Sequence, residues 1–190
     1  GAAALSGKNP GREEILTLAL ELEPHPANLA ACLWGSFTIA APPHVVTLPW
    51  PDTLRVVAAI PDFAVETAKA RALLPKSIAR EDAVHNIARA AVLAAALASD
   101  SFLPPWALDD RLHQDHRAPL VKAWPAAREA AIRAGALGAA ISGSGPTLVA
   151  FTTSHAKDVG AALAAEFSKV GARARVLELG AAPGASWEKS

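Results

Sequence analysis

The chain has 190 residues, enough for one moderate domain or two small ones, and its 52% hydrophobic fraction is sufficient for a real core. Lysine plus arginine equal aspartate plus glutamate at 18 each, so the formal net charge is zero and no basic stripe is available for a nucleic-acid backbone. The longest uncharged apolar run, Ala90 to Ser99, is far too short to span a membrane, the N-terminus shows no basic-then-apolar signal pattern, and the lone Cys32 cannot form an internal disulfide, so a cytoplasmic setting is expected. The chain contains no methionine and starts at Gly1, which reads as a processed chain or a piece of a longer one.

In chain order, Gly1 to Leu5 reads as the tail of an alanine-rich helix and Ser6 to Pro10 as a polar turn. Arg12 to Glu23 has helical apolar spacing, and Pro24 and Pro26 are expected to stop it. Asn28 is the expected N-cap of a short helix running to Trp34, with Gly35 ending it. Phe37–Ala41 and Val45–Leu48 predict a strand pair across Pro42-Pro43, and Leu54 to Ile60 predicts a buried strand. Helices are predicted over Thr67–Leu74 and Glu81–Ala98, the latter with Val84, Ile87, Ala88, Ala91, Val92 and Ala95 facing inward. A short helix follows at Trp106–His113, then one over Leu120–Ala134 broken near Pro125. The pattern closes with strands Ala139–Ser142 and Thr147–Thr152, helix Lys157–Val170 and strand Ala172–Leu177.

Strands split by helices and joined by one hairpin predict an α+β fold. Its main part is a ferredoxin-like sandwich with an antiparallel sheet and helices on one face. The expected organisation is residues 1–51, residues 52–180 and a flexible tail over residues 181–190, with the boundary at Pro51-Asp52. There is no internal repeat.

Four segments carry possible chemistry. Ser142-Gly143-Ser144-Gly145-Pro146-Thr147 puts two Cβ-free residues and three hydroxyls in one turn, which suits either an anion-binding loop or a plain hairpin. Because it joins two strands, it is neither a Walker A loop nor a dinucleotide fingerprint. Glu21 and Glu23 sit at a helix C-terminus, against its dipole, which is tolerated on a wet surface or beside a cation such as Mg²⁺. Arg71 suits its helix end through the dipole alone, or offers a planar fork to a carboxylate or phosphate. From Asp110 to Arg117, seven of eight residues are polar. The spacing of Asp110, His113 and Arg117 predicts one shared helix face. A zinc set of Asp110, His113 and His116 is the alternative reading, without a closed set of ligands.

These segments, in this order, resemble the homoserine kinase family of the GHMP small-molecule kinases. They are Glu21-Leu22-Glu23-Pro24-His25-Pro26-Ala27-Asn28, Ala70-Arg71-Ala72-Leu73-Leu74-Pro75, Asp110-Arg111-Leu112-His113-Gln114-Asp115-His116-Arg117 and the Ser142–Thr147 turn. The resemblance implies an N-terminal α/β nucleotide-holding domain, of which residues 1–51 are a remnant, and a C-terminal ferredoxin-like domain. It implies phosphorylation of the side-chain hydroxyl of L-homoserine by ATP with Mg²⁺, a step of threonine biosynthesis. By position, Glu23 resembles the Mg²⁺ ligand, with Glu21 next. Asn28, Arg71, Arg117 and His113 resemble the substrate-binding residues, the two arginines gripping the carboxylate. Ser142, Gly143, Ser144, Gly145 and Thr147 resemble the loop that supports the phosphate site. The implied partners are L-homoserine and ATP; apart from the resemblance, a homodimer is one expected assembly, and neither nucleic acid nor membrane is expected as a partner.

Three departures stand out. The family's Gly-Leu-Gly-Ser-Ser-Ala nucleotide loop is absent, so weak or no ATP binding is expected of this chain alone. Ala27 stands where the family has Asp, and Asp115-His116 replaces the usual Pro-Tyr before Arg117. A GHMP kinase for mevalonate-type or sugar substrates, and a non-catalytic ligand-binding or dimerising module, remain the alternatives.

Overall fold

The computed structural model describes residues 10–99 and 103–186. The helix tail expected at Gly1 to Leu5, and all of the following turn but Pro10, lie outside them. The chain divides into two compact units, Gly1–Trp50 with Ala181–Ser190, and Pro51–Gly180.

In the first unit, α1 (Arg12–Leu20) buries Leu16 and ends one turn earlier than expected, leaving Leu22 90% exposed. Pro26 does not stop a helix but opens α2 (Pro26–Trp34). At the first helical position its missing N–H costs nothing, because that N–H would have no partner there. His25 is therefore the N-cap, and Asn28 lies inside the first turn, its N–H donating to the His25 carbonyl at 3.1 Å. Strands β1 (Phe37–Ala41) and β2 (His44–Leu48) pair antiparallel, Phe37 opposite Leu48 and Ala41 opposite His44. The segment expected to be a loose tail is tied down at its start. Ser36 donates to the Ala182 carbonyl, and Ala185 donates to that of Cys32, each at 2.9 Å.

The second unit is built on a four-stranded antiparallel sheet. Its strands are β3 (Arg55–Pro61), β4 (Gly138–Ile141), β5 (Leu148–Thr152) and β6 (Ala174–Leu179), in the order β4-β5-β3-β6. Between β3 and β4 run α3 (Thr67–Ala72), α4 (Arg80–Ala98), a 3₁₀ turn at Pro105–Leu108, α5 (Gln114–Arg117), a second 3₁₀ turn at Ala118–Leu120 and α6 (Trp124–Arg133). Helix α7 (Ala156–Lys169) joins β5 to β6. The main order is βαββαβ with the first strand central, the ferredoxin-like arrangement expected from the sequence.

Period-two alternation aims Val57 and Ala59 of β3, and Leu148 and Ala150 of β5, into one core. Trp124, Ala127 and Ala131 of α6 and Val159, Leu163 and Phe167 of α7 fill it from the helix side. The alanines keep the sheet face shallow, so the large volume comes from Phe167, Leu163 and Trp124. A smaller cluster gathers Ala96, Leu103 and Ala107, with Val92, Leu93, Leu137 and Phe151 packed against it. Phe151 alternates with Ala150, so this cluster lies across the sheet from the main core, and helical segments cover both faces rather than the one expected.

That placement corrects the face expected for α4. Val84 is 56% and Ile87 69% exposed, and Ala88, Ala91 and Ala95 are exposed as well, whereas Ala96 and Leu97 are buried. The helix has so many alanines that its faces differ little in hydropathy, and tertiary contacts choose between them. A second proline reading changes in the same way: Pro125 lies in the first turn of a helix rather than breaking one, and the helix expected at Trp106–His113 is only the 3₁₀ turn Pro105–Leu108.

Phe167→Ala is expected to destabilise the chain by about 3–5 kcal/mol through loss of buried area and cavity formation. Ile87→Ser is expected to change stability by no more than about 0.5 kcal/mol, as for other surface substitutions. Urea unfolding of both variants checks the assigned faces.

Candidate functional site

The turn between β4 and β5 closes on two backbone hydrogen bonds. Ser142 donates to the Thr147 carbonyl, and Gly145 donates to that of Ser142, both at 2.9 Å. Gly143 and Gly145 adopt φ of +57° and +81°, which an L side chain rarely takes. A Cβ on Gly145 would also come within 3.0 Å of Val121 and 3.1 Å of Ile141, whereas one on Gly143 would meet open space. The turn thus rests on the core at Gly145 and presents an open backbone at Gly143. Ser142 and Gly143 are exposed, and Ser144 and Thr147 half-buried.

Two elements reach this turn. From α5, Arg117 donates through Nη1 to the Gly143 carbonyl at 2.7 Å. From α3, the Thr67 hydroxyl lies 3.4 Å from that of Ser144. Arg71 follows four residues after Thr67 and so lies about one turn further along the same face of α3, exposed. Both arginine-bearing helices therefore meet the turn. The Arg117 Nε is buried and has no hydrogen-bond partner among the described residues.

The segment before Arg117 is not the long helix its spacing predicts. Asp110 lies outside α5 and acts as a hub. Its Oδ1 accepts from Asn86 Nδ2 on α4 at 2.8 Å, from the Leu112 N–H at 2.7 Å and from the His113 N–H at 3.1 Å. Its Oδ2 accepts from the Gln114 N–H at 3.2 Å and lies 3.3 Å from His113 Nδ1. Asn86 Oδ1 in turn accepts from the Arg111 N–H at 3.0 Å. Burial alone would raise the Asp110 carboxyl. The hydrogen bonds from His113, Asn86 and the backbone outweigh it and hold this group well below the usual carboxylate range. The sequence reading singled out Asp110 for its spacing and missed both Asn86 and the buried Gln114. The cluster of polar residues was the available signal, but a hydrogen-bond hub leaves no periodic trace.

A cavity of about 240 Å³ opens beside this hub, lined by His85, Leu108, Asp109, Asp110, Arg111, Gln114, Asp115, Trp124 and Arg128. Asp109 pairs with Arg128 at its wall. Neither Arg71, Arg117 nor the glycine turn lines it. The zinc alternative at Asp110, His113 and His116 is not supported. No group of three His, Cys, Asp or Glu side chains is placed to hold a metal among the described residues. The remaining expected residues lie in the first unit. Glu23 is 47% exposed at its side chain and binds His25 Nδ1, while Glu21 and Asn28 are exposed. No helix among the described residues is long and apolar enough to cross a membrane.

Residues 81–169, from α4 through α7, match the family model described as GHMP kinases C terminal. The chain is 40% identical to a homoserine kinase from Thermus thermophilus over 192 aligned positions, covering 100% of this chain and 65% of that protein. It is 40% identical to homoserine kinase from Moorella thermoacetica, covering 94% of this chain and 62% of that protein. The crystal structure of homoserine kinase from Cytophaga hutchinsonii superposes with a TM-score of 0.85 at 30% identity, covering 94% of this chain and 60% of that one. The chain carries a GHMP kinase C-terminal region over residues 81–169.

It spans 65% or less of the length of these curated relatives. The stretch matching the GHMP kinase C-terminal model contains the Asp110 hub, Arg117 and the glycine turn together. Arg71 lies before that stretch and is covered by the homoserine kinase alignment that spans the whole chain.

A carboxyl held low in the folded state stabilises it above the ordinary carboxyl range, and that stability is lost as pH falls through the folded value. Asp110→Asn is therefore expected to unfold at clearly lower urea than wild type at pH 7. The difference should shrink as pH drops below about 4, where the unfolded carboxyl takes up its proton. Urea midpoints at pH 7 and pH 3 check this.

Proposed function

We propose that the protein carrying this chain transfers the γ-phosphoryl group of ATP to the side-chain hydroxyl of L-homoserine, giving O-phosphohomoserine for threonine biosynthesis. The observation that most supports this reading is the state of Arg117. It spends Nη1 on the Gly143 carbonyl and keeps Nε buried and unpartnered among the described residues. A buried donor without a partner costs about 1–3 kcal/mol, and an anion at the guanidinium would relieve that cost. An amino-acid substrate supplies such an anion in its carboxylate, whose planar shape matches the guanidinium fork. Arg71 is assigned the other half of the grip, on the helix that touches the turn through Thr67. The names of the similar proteins point to the same substrate.

In this reading His113 and Asn28 contact the amino acid, and Ser142, Gly143, Ser144, Gly145 and Thr147 support the phosphate end. His113 is steadied by Asp110 on its Nδ1 side, so Nε2 is the nitrogen it offers. Mg²⁺ prefers one or two carboxylates completed by phosphate oxygens and water, and the half-exposed Glu23 fits that modest demand, with Glu21 as the nearby second. Mg²⁺ would supply charge neutralisation on the phosphates. The chain's own task is to position the substrate, on which phosphoryl transfer mostly relies. Ala27 removes one carboxylate from beside Asn28, so orientation of the hydroxyl falls to the remaining contacts.

Loss of a charge-assisted hydrogen-bonded grip is worth about 1.5–3 kcal/mol. Arg117→Ala and Arg71→Ala in the whole protein are therefore expected to lower kcat/KM for homoserine by about 10- to 100-fold each. The analogue 3-amino-1-propanol, which lacks the carboxylate, should be phosphorylated slowly by wild type and no more slowly by either variant. Absence of homoserine phosphorylation by the whole protein, or an equal loss with the analogue, would overturn the reading.

A further inference from the structure

Among the described residues, strand β4 is an edge of the sheet, paired with β5 on one side only. An edge strand leaves N–H groups facing outward without ladder partners. At Ile141, the last residue of β4, that group is satisfied by a side chain from elsewhere in the chain: Gln114 Oε1 accepts the Ile141 N–H at 2.9 Å. The other end of the same amide is also committed, since Gln114 Nε2 donates to the Leu108 carbonyl at 3.0 Å. Gln114 is only 8% exposed, and its own N–H donates to Asp110. Both functions of this amide are used on backbone, so it fixes a distance between two segments as a rigid spacer.

The two segments are the ones that matter for the site. Gln114 starts α5 and Arg117 ends it, while Ile141 leads directly into the turn whose Gly143 carbonyl receives Arg117. Three residues along one segment and two along the other separate the amide clamp from that contact. We infer that Gln114 is a positioning residue. It holds α5 at a set height on the edge of β4, so that the Arg117 guanidinium rests on Gly143 with its remaining donors directed at substrate. Gln114 does not touch substrate in this account and acts through Arg117. The inference deepens the reading of Arg117 as a carboxylate anchor and rests on it for its kinetic consequence.

Gln114→Met keeps length and bulk but loses both hydrogen bonds. Gln114→Glu keeps an acceptor for Ile141 and loses the donor to Leu108, so it should fall between Met and wild type. The first readout is the buried arginine Nε–H of Arg117, observed in ¹H–¹⁵N spectra of the chain and assigned by its loss in Arg117→Lys. Its exchange with solvent is expected to speed up at least tenfold in Gln114→Met, and less in Gln114→Glu, while the amide spectra of β3 and β5 stay in place. Unchanged protection in a folded variant would overturn the inference. If Gln114→Met does not fold, Gln114→Glu carries the same comparison.

The second readout is a double-mutant cycle in the whole protein. Gln114→Met should raise KM for homoserine about tenfold and leave KM for ATP unchanged. In an Arg117→Ala background the same change should cost less than about twofold in kcat/KM, because residues acting through one another are not additive. An equal loss in both backgrounds would assign Gln114 a merely structural role and sink the inference. If wild type does not phosphorylate homoserine, the functional reading fails, and the arginine exchange measurement alone still decides whether Gln114 positions Arg117.

Discussion

The Asp110 carboxylate is the point on which the local architecture turns. Residues 109–117 have almost no regular structure of their own beyond the single turn of α5, so their shape must come from side-chain hydrogen bonds. One carboxylate accepts the N–H groups of Leu112, His113 and Gln114, which lead into the start of α5. Through Asn86 it also ties this start to α4. Burial opposes the charge there, but hydrogen bonds from the His113 and Asn86 side chains and from the backbone outweigh it and hold the carboxyl low. The cost of removing it would be spread over a whole segment rather than over one contact.

What the hub achieves is a relay of fixed distances. Asp110 orients α5, Gln114 seats it on the edge of β4, and Arg117 reaches the glycine turn from the end of that short helix. The sheet supplies the rigid reference, since β5 and β3 carry residues as buried as Leu148, Ala150 and Val57. A glycine turn alone is flexible. Here Gly145 packs on Val121 and Ile141, while Gly143 stays open to receive a guanidinium. Packing order and polar reach are thus divided between two residues two positions apart.

The antiparallel core was legible in the sequence because β3 is a nearly continuous apolar run, while β5 and α7 space Leu148, Phe151, Val159, Leu163 and Phe167 between turn signals. The hairpin at Ser142–Thr147 was legible for a different reason, the local turn chemistry of its glycines. Helix α4 was misjudged because eight of its nineteen residues are alanine, so Val84 and Ile87 suggested a buried face that the fold leaves in water. Pro26 and Pro125 were misjudged because proline ends a helix and begins one with equal ease, and only the partners of the neighbouring carbonyls decide which. At the site, the glycine turn could be named from its residue types, while Arg71 and Arg117 were singled out as a pair through the resemblance to homoserine kinases. Asn86 and Gln114 could not, since their roles depend on tertiary contacts across 24 and 27 positions of chain.

A structure of the whole protein with bound homoserine is the most direct test of the central claim. The account predicts the amino-acid carboxylate within hydrogen-bond distance of both the Arg117 and the Arg71 guanidiniums, with Arg117 still resting on the Gly143 carbonyl. A carboxylate bound elsewhere, or an Arg71 side chain directed away from the glycine turn, would contradict it.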